Sequence, residues 1–132
     1  MIGIDTNVLL RFLVHDDPEQ GEKARQFMTE RTAEDPAYVS AVVLAEVIWF
    51  LRQRLNYSKA QIVDMLRLLI ASSEIVIEHT EELELLLAGS TFPAGDVADY
   101  LVAWSAGRVG CRKVITFDRK AAQAVPGMEL LA

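Results

Sequence analysis

The stretch Ile2-Gly3-Ile4-Asp5-Thr6-Asn7 opens the chain and decides much of its fold. Two β-branched residues in a short apolar run are typical of a strand, so a first strand is predicted over Ile2–Asp5. The polar residues that follow favour the start of a helix over residues 7–14, with Asn7 as its cap. The strand therefore ends in a carboxylate, at the kind of sheet edge where open α/β folds bind their ligands.

The rest of the chain alternates short apolar runs with longer helical ones. Further strands are predicted over Ala37–Ser40, Ile75–Ile77, Lys113–Thr116 and Met128–Leu131. Helices are predicted from Asp16 to about Arg31, Ser40 to about Leu55, Ser58 to about Ser72, Thr80 to about Ala88, Asp96 to about Arg108, and Asp118 to Ala124. Strands separated by helices need right-handed crossovers, which give parallel pairing. We therefore expect the α/β class, as a three-layer α/β/α fold with a central, mostly parallel sheet.

Length and composition indicate one globular domain over residues 1–132. Hydrophobic residues make up 52% of the chain, too many for a disordered protein. No apolar run reaches the roughly 18 residues that a membrane span needs, and the first residues lack the basic start of a signal peptide. The single Cys111 cannot form an internal disulfide, which favours a cytoplasmic protein, and we expect this side chain to be buried.

The net charge of −6 argues against a broad nucleic-acid-binding surface. It does not exclude an enzyme that handles phosphate and whose acids are neutralised by cations. Several acids occur where a globular domain has little structural use for them, since an unpaired charge is costly to bury. His15 and His79 have no metal-ligand spacing and are expected at the surface, so the candidate donors are oxygens, which favour Mg²⁺ or Mn²⁺ over zinc.

Two of these acids follow predicted strands. Asp5 ends the first strand and Asp118 comes just after the fourth, so both are expected at the same edge of the sheet. The alternative for each is a helix cap, Asp5 for the helix that follows it and Asp118 for residues 119–124. Taken together, the two positions favour a functional site.

Glu46 lies in an otherwise apolar helix. Its neighbours at helical spacing are Val42, Val43, Trp49 and Phe50. A glutamate that faces such an apolar stripe should be rare unless something charged lies opposite it. A metal ion is one answer, and a salt bridge to Arg11 or Arg52 is the other.

Asp96 and Asp99 are three residues apart and share one helical face. Asp96 follows Gly95 and is well placed to cap the helix with its carboxylate, which leaves Asp99 as the ligand and Asp96 as a supporting acid. Asp99 could instead complete a capping box. The core stripe of this helix is expected to be Val97, Leu101 and Trp104.

Short polar side chains flank the acids. Thr6 and Asn7 follow Asp5, and Thr116 precedes Asp118 by two residues. They are suited to orient the carboxylates from a second layer around the site, although ordinary caps and turns explain them equally well.

Four segments of the chain, taken in order, resemble the motifs of PIN-domain nucleases, and in particular the VapC-type toxins of prokaryotic toxin–antitoxin pairs. The first is Ile4-Asp5-Thr6-Asn7-Val8-Leu9-Leu10-Arg11, followed by Asp16-Asp17-Pro18-Glu19-Gln20. The others are Ser40-Ala41-Val42-Val43-Leu44-Ala45-Glu46, Asp96-Val97-Ala98-Asp99-Tyr100-Leu101-Val102-Ala103 and Thr116-Phe117-Asp118-Arg119-Lys120. Each motif alone is weak, but four in order are specific.

The resemblance implies a PIN-like fold and an endoribonuclease that depends on Mg²⁺ or Mn²⁺. By motif, the catalytic and metal-binding acids are Asp5, Glu46, Asp99 and Asp118, and all four are present. It also implies a homodimer, an RNA substrate and inhibition by a small antitoxin protein. The one departure is Tyr100, where the family more often has a small residue.

The residues also allow other classes of protein. The same metal chemistry could serve a structure-specific DNA nuclease, although the chain has no evident extra element to grip a duplex. A phosphoaspartate receiver or phosphatase domain would use Asp5 as the nucleophile, but Asp5-Thr6-Asn7 lacks the second acid of an Asp-x-Asp motif. A non-catalytic interaction module is the third alternative, and the full set of acids opposes it.

Two helical segments, around residues 43–55 and 62–70, are rich in apolar residues. Their apolar residues are Val47, Ile48, Trp49, Phe50, Leu51, Ile62, Met65, Leu66, Leu68, Leu69 and Ile70. That set is larger than one helix face needs for its own core, so it predicts an exposed patch for a second subunit or an antitoxin helix.

Overall fold

The computed structural model describes residues 1–89 and 92–131, and in this part of the chain it contains five strands and seven helices. The strands are β1 (Ile2–Gly3), β2 (Ala37–Val39), β3 (Ile75–Ile77), β4 (Val114–Thr116) and β5 (Met128–Leu130). The helices are α1 (Thr6–Leu13), α2 (Pro18–Thr29), α3 (Ala41–Gln53), α4 (Lys59–Ala71), α5 (Thr80–Leu87), α6 (Val97–Arg108) and α7 (Arg119–Ala124).

All the strand pairing is parallel. β2 lies between β1 and β3, with Ile2 opposite Ala37 and Val39 opposite Ile77. β4 pairs with β5 in a second sheet of two strands. The expected α/β class with parallel strands and helical crossovers is confirmed, and the order of elements is consistent with three layers. The division of the strands between two sheets was not expected from the sequence.

The helices begin where the sequence predicts because short polar side chains satisfy their first N–H groups. Asp17 accepts a hydrogen bond from the Gln20 N–H before α2, and Ser40 accepts one from the Val43 N–H before α3. A capping box of Ser58 and Gln61 starts α4. The predicted cap of α1 was wrong. This helix begins one residue earlier, and Asp5 rather than Asn7 occupies its cap position.

One hydrophobic core joins β2, β3 and Ile4, which follows β1, to the helices that cross over them. Leu9, Leu44, Leu51, Leu66 and Leu83 are among its fully buried side chains. The buried core also takes most of the apolar set that the sequence assigned to an exposed patch: Val47, Ile48, Leu51, Ile62, Met65, Leu66 and Leu69. The predicted exposed apolar patch was therefore largely wrong. Trp49 and Leu68 are the members of that set that stay exposed.

Two further burial predictions were wrong. His79 is buried rather than exposed, and it adopts a left-handed backbone conformation with φ of 66° just before α5. Its Nε2 lies 3.3 Å from the Ser105 hydroxyl, whereas its Nδ1 is buried and has no hydrogen-bond partner among the described residues. Cys111 is exposed, because the segment from 109 to 113 that connects α6 to β4 runs along the surface.

None of the helices in the described residues combines the length and the apolar character that crossing a membrane requires.

Two leucines of α4 give a direct test of this core. Leu66 is 0% exposed and Leu68 is 74% exposed. Leu66→Ala should lower the free energy of unfolding by about 2–5 kcal/mol, because it removes apolar contacts and leaves a cavity. Leu68→Ala is the matched control and should change it by less than about 0.5 kcal/mol. Urea denaturation followed by circular dichroism measures both, and equal losses would contradict the assigned faces of α4.

Candidate active site at the ends of the strands

Asp5 lies directly beyond β1, at the cap of α1. Its Oδ1 accepts a hydrogen bond of 2.7 Å from the Thr6 N–H. The capping role that the sequence left open is therefore real. It uses one carboxylate oxygen, and a carboxylate can accept hydrogen bonds or bind a cation with either of its two oxygens. The side chain is solvent-exposed, so a ligand can reach it.

Glu46 lies on α3 and is tied to α1 through Thr6. The Thr6 hydroxyl donates to Glu46 Oε2 at 3.2 Å, and Thr6 is also the residue whose N–H bonds Asp5. The predicted apolar surroundings of Glu46 were wrong. Glu46 does not face an apolar core, because its neighbours Val42 and Trp49 are themselves exposed.

The sequence also allowed a salt bridge from Glu46 to Arg11 or Arg52, but both arginines pair with other acids. Arg11 Nη1 lies 2.9 Å from Asp16, and Arg52 Nη1 lies 3.6 Å from Asp96. The polar contact that positions the Glu46 carboxylate is therefore the hydrogen bond from the Thr6 hydroxyl. Thr6 was predicted as a supporting residue, and the structure gives it a definite contact.

An open groove of about 430 Å³ joins the elements that carry these acids. Its lining residues are Thr6 and Leu10 of α1, Ala45, Glu46, Trp49 and Phe50 of α3, and Ala98 of α6. Sequence reasoning missed Trp49 and Ala98 as site residues. The available signals were that Trp49 lies three residues after Glu46 on the same helix, and that Ala98 directly precedes Asp99.

Asp99 lies in the first turn of α6 and is partly buried. Burial raises the pKa of its carboxyl above the ordinary value of 3.8, and the charges of Asp96 and Asp118 raise the pKa further. All three effects disfavour the ionised form. Asp96 and Asp118 thus lie near enough to Asp99 for their charges to act on its carboxyl group.

Asp96 occupies the cap position of α6, as predicted, but its side chain makes no capping hydrogen bond. The prediction that its carboxylate is spent on the first backbone N–H groups was therefore wrong. Its carboxylate instead lies 3.6 Å from Arg52, an ion pair that joins α6 to α3. Both partners are partly exposed, so the pair itself contributes little stability.

Asp118 caps α7, which was the structural alternative for it. Its Oδ1 accepts a hydrogen bond of 3.0 Å from the Ala121 N–H, and its own N–H donates to the Thr116 hydroxyl at 3.0 Å. Thr116 therefore fixes the backbone that carries Asp118. As with Asp5, the cap uses one carboxylate oxygen and the residue stays exposed.

Asn7, predicted as a supporting residue, and Tyr100, the one departure from the family pattern, lie in different surroundings. Asn7 is exposed and lines a groove of about 460 Å³ beside β1, together with Asp5. Tyr100 is buried, and its hydroxyl donates to the Ala124 carbonyl at 3.2 Å. The larger side chain at this position thus packs α6 against the end of α7.

The acids fall into two groups. Asp5 and Glu46 are joined through Thr6, and Asp99 lies with Asp96 and Asp118. In the conformation of residues 1–89 and 92–131, no three acid, histidine or cysteine side chains converge closely enough to hold a metal ion. The donor set is nevertheless suited in its chemistry to Mg²⁺ or Mn²⁺, because every candidate is a carboxylate and one of them is held in a repulsive environment. That all four predicted acids act as one site stays a prediction.

The chain matches a known protein family. The family model of the PIN domain matches residues 2–125, which is nearly the whole chain. No curated protein and no solved structure matches this chain.

The raised pKa of Asp99 predicts how stability depends on pH in the absence of metal. The folded state holds this proton more tightly than the unfolded chain, so the contribution of Asp99 to stability falls as the pH rises from below 3.8 through the raised value. Asp99→Asn should therefore be more stable than the natural protein at neutral pH and lose that advantage at low pH. Urea unfolding in chelator across this pH range measures the difference.

Asp64→Asn is the matched control for this experiment, because Asp64 is an exposed carboxylate on α4. It should leave the pH dependence of the natural protein unchanged. A loss of stability in Asp99→Asn at every pH would show instead that this carboxylate supports the fold.

Proposed function

Because the chain belongs to the PIN domain family, we propose that it is a metal-dependent endoribonuclease and the toxin of a toxin–antitoxin pair. PIN domains are typically metal-dependent nucleases, so hydrolysis of a nucleic-acid phosphodiester follows from the family. The observation that carries the proposal for this chain is the environment of Asp99. Burial and two neighbouring acids all oppose its ionisation, and a divalent cation would relieve that repulsion. The choice of RNA and the role as a toxin rest on the motif resemblance.

In this proposal Asp5 and Asp99 hold the principal Mg²⁺ or Mn²⁺ ion, and Glu46 and Asp118 hold a second ion or position the attacking water. When bound, the ion supplies an activated water and neutralises charge on the attacked phosphate and the leaving oxygen. The protein supplies the positions of the carboxylates. A net charge of −6 means that RNA approaches favourably only where cations offset that charge.

The hydrogen bonds within the site support this assignment because they restrict the acids before any ligand arrives. Asp5 and Asp118 are each fixed by one backbone N–H at a helix start, and Glu46 is fixed by the Thr6 hydroxyl. A restricted carboxylate loses less conformational freedom when it binds a cation. Thr6 is in this account a positioning residue.

The first test is cleavage of RNA with Mg²⁺ or Mn²⁺ and with chelator. Asp5→Asn and Asp99→Asn should each lower the metal-dependent rate by about 100-fold or more, the scale on which one lost electrostatic contact acts at a reaction centre. The control Asp64→Asn removes an exposed acid of α4 and should cleave at the natural rate. Circular dichroism of each variant verifies that the fold survives.

A parallel reaction with single- and double-stranded DNA tests the choice of substrate. Cleavage of DNA with RNA left intact would contradict the ribonuclease assignment but would still agree with a nuclease. Cleavage of RNA that is unchanged in chelator, or unchanged in both variants, would contradict the metal site.

For the antitoxin we propose a short amphipathic helix with a basic side chain. The groove beside Glu46 has apolar walls, formed in part by Trp49 and Phe50, and an acid at one end. Trp49 is exposed, so its apolar surface is available to a partner. A helix would pack its apolar face on these residues while its basic group pairs with Glu46 and competes with the cation. We propose that two copies of this chain form a homodimer in the complex.

Co-expression with the product of the adjacent small gene tests the partner. The two proteins should purify together, and the complex should cleave RNA at least about tenfold more slowly than the free chain, equivalent to about 1.4 kcal/mol of coupling. Trp49→Ala should weaken the complex, whereas Leu85→Ala, at an exposed leucine of α5, should not. If the product of the adjacent gene left the rate of RNA cleavage unchanged, the antitoxin proposal would be contradicted and the nuclease assignment would not.

A further inference from the structure

Asp99 and Asp118 come from different parts of the chain, and their charges oppose their approach. Asp99 lies in the first turn of α6, and Asp118 is the cap of α7. The charge of Asp118 acts on the Asp99 carboxyl group and helps to raise its pKa. Because like charges repel, contacts elsewhere in the fold must hold the two carboxylates near one another.

Tyr100 provides one such contact, between α6 and the end of α7. This side chain is buried, and its hydroxyl donates to the Ala124 carbonyl at 3.2 Å. Tyr100 directly follows Asp99 in the chain, so the hydrogen bond connects α7 to the part of α6 that carries this acid. The ring also packs against Trp104, with the ring centres 5.8 Å apart, and this contact restricts its orientation.

Gly95 provides a second contact because it has no side chain. A Cβ atom built at this position would lie 3.2 Å from Ala124 Cβ and from Val125 Cγ2, and 3.3 Å from Tyr100 Cε2. The φ of Gly95 is not in the left-handed region, so alanine could adopt the same backbone conformation. Glycine is therefore needed here for a close approach and not for an unusual φ. It lets the chain just before α6 lie directly against the end of α7.

The short helix α7 connects these contacts to Asp118. The Ala122 N–H donates to the Asp118 carbonyl at 3.0 Å, and the Val125 N–H donates to the Ala121 carbonyl at 2.9 Å. Ala121 and Val125 are buried, and their packing orients the helix about its axis. Asp118 and Ala124 are thus separated by a continuous helical segment of about 9 Å. The position of Ala124 therefore determines where Asp118 lies.

We propose that Tyr100 and Gly95 are positioning residues of the active site, which bring Asp118 to Asp99 by docking the end of α7 on α6. Neither residue touches the reacting atoms in this account. Both act through α7, and Asp118 is the group that they place. The inference rests on the proposed function, because it gives Asp99 and Asp118 their roles as metal ligands. The contacts that carry it are hydrogen bonding and packing, which need no metal.

The repulsion between the two acids tests this placement without metal or RNA. Asp118→Asn removes a charge and keeps a residue that caps helices well, so in chelator it should raise the urea midpoint of unfolding. In Tyr100→Leu and in Gly95→Ala, we expect at least about half of that rise to be lost, because the repulsion weakens as α7 moves away. Tyr100→Phe removes only the hydroxyl and should lose a smaller part of the rise.

Two control variants match these substitutions. Gly107→Ala adds a methyl group on α6 at a position where a Cβ atom would have nothing within 4 Å, and Tyr57→Phe removes a tyrosine hydroxyl outside α6. Both should leave the rise caused by Asp118→Asn unchanged. A rise of the same size in Tyr100→Leu, Tyr100→Phe and Gly95→Ala would overturn the proposal. The absence of any rise in the natural protein would overturn it as well, since the two acids would then not be held together.

RNA cleavage in single-turnover reactions distinguishes positioning from a general structural role. Tyr100→Leu should lower the rate constant at saturating RNA at least about tenfold, and should lower it no further in a chain that already carries Asp118→Asn. The RNA concentration for half saturation should stay unchanged, because Tyr100 does not contact the substrate. Equal losses of rate in both backgrounds would overturn the proposal, since Tyr100 would then act independently of Asp118. If no RNA were cleaved, the nuclease assignment would fail, and the urea measurements would still decide whether Tyr100 and Gly95 place Asp118.

Discussion

The parallel pairing of β1 with β2 is the constraint on which the rest of the molecule depends. Because the two strands run in the same direction, the chain must cross over between them, and α1 and α2 make that crossing. The carboxyl end of β1 therefore coincides with the start of α1. Asp5 occupies that point, and both its role as a cap and its exposure to solvent follow from it.

Capping and ligand binding are compatible demands on the acids of this protein. Asp5 and Asp118 each give one oxygen to a helix start, so the fold gains a capping contact from residues whose remaining charge is useful for chemistry. Asp99 gains no such contact and bears the electrostatic cost, since burial and nearby acids both oppose its ionisation. The candidate site thus combines restrained carboxylates with one whose ionised form is disfavoured, as a cation-binding site would require.

The sequence predicted the elements well and their assembly less well. Caps such as Ser40 and Ser58 are local signals, and the helices begin there. The burial of His79 and the exposure of Cys111 depend on contacts between distant segments, which periodicity does not encode. The link through Thr6 could be anticipated from its position beside Asp5, whereas the separation of β4 from β1 could not, because strand order is a property of the whole fold.

The division into two sheets also bears on how the chain folds. The core joins β2, β3 and Ile4, which follows β1, with helices up to α6, and no residue of the segment that contains β4, α7 and β5 contributes to that core cluster. Such a segment is expected to open and close at a lower free energy than the body, as a separate cooperative unit in hydrogen exchange. Asp118 belongs to that segment, so the proposed site is expected to be complete only while the segment is closed.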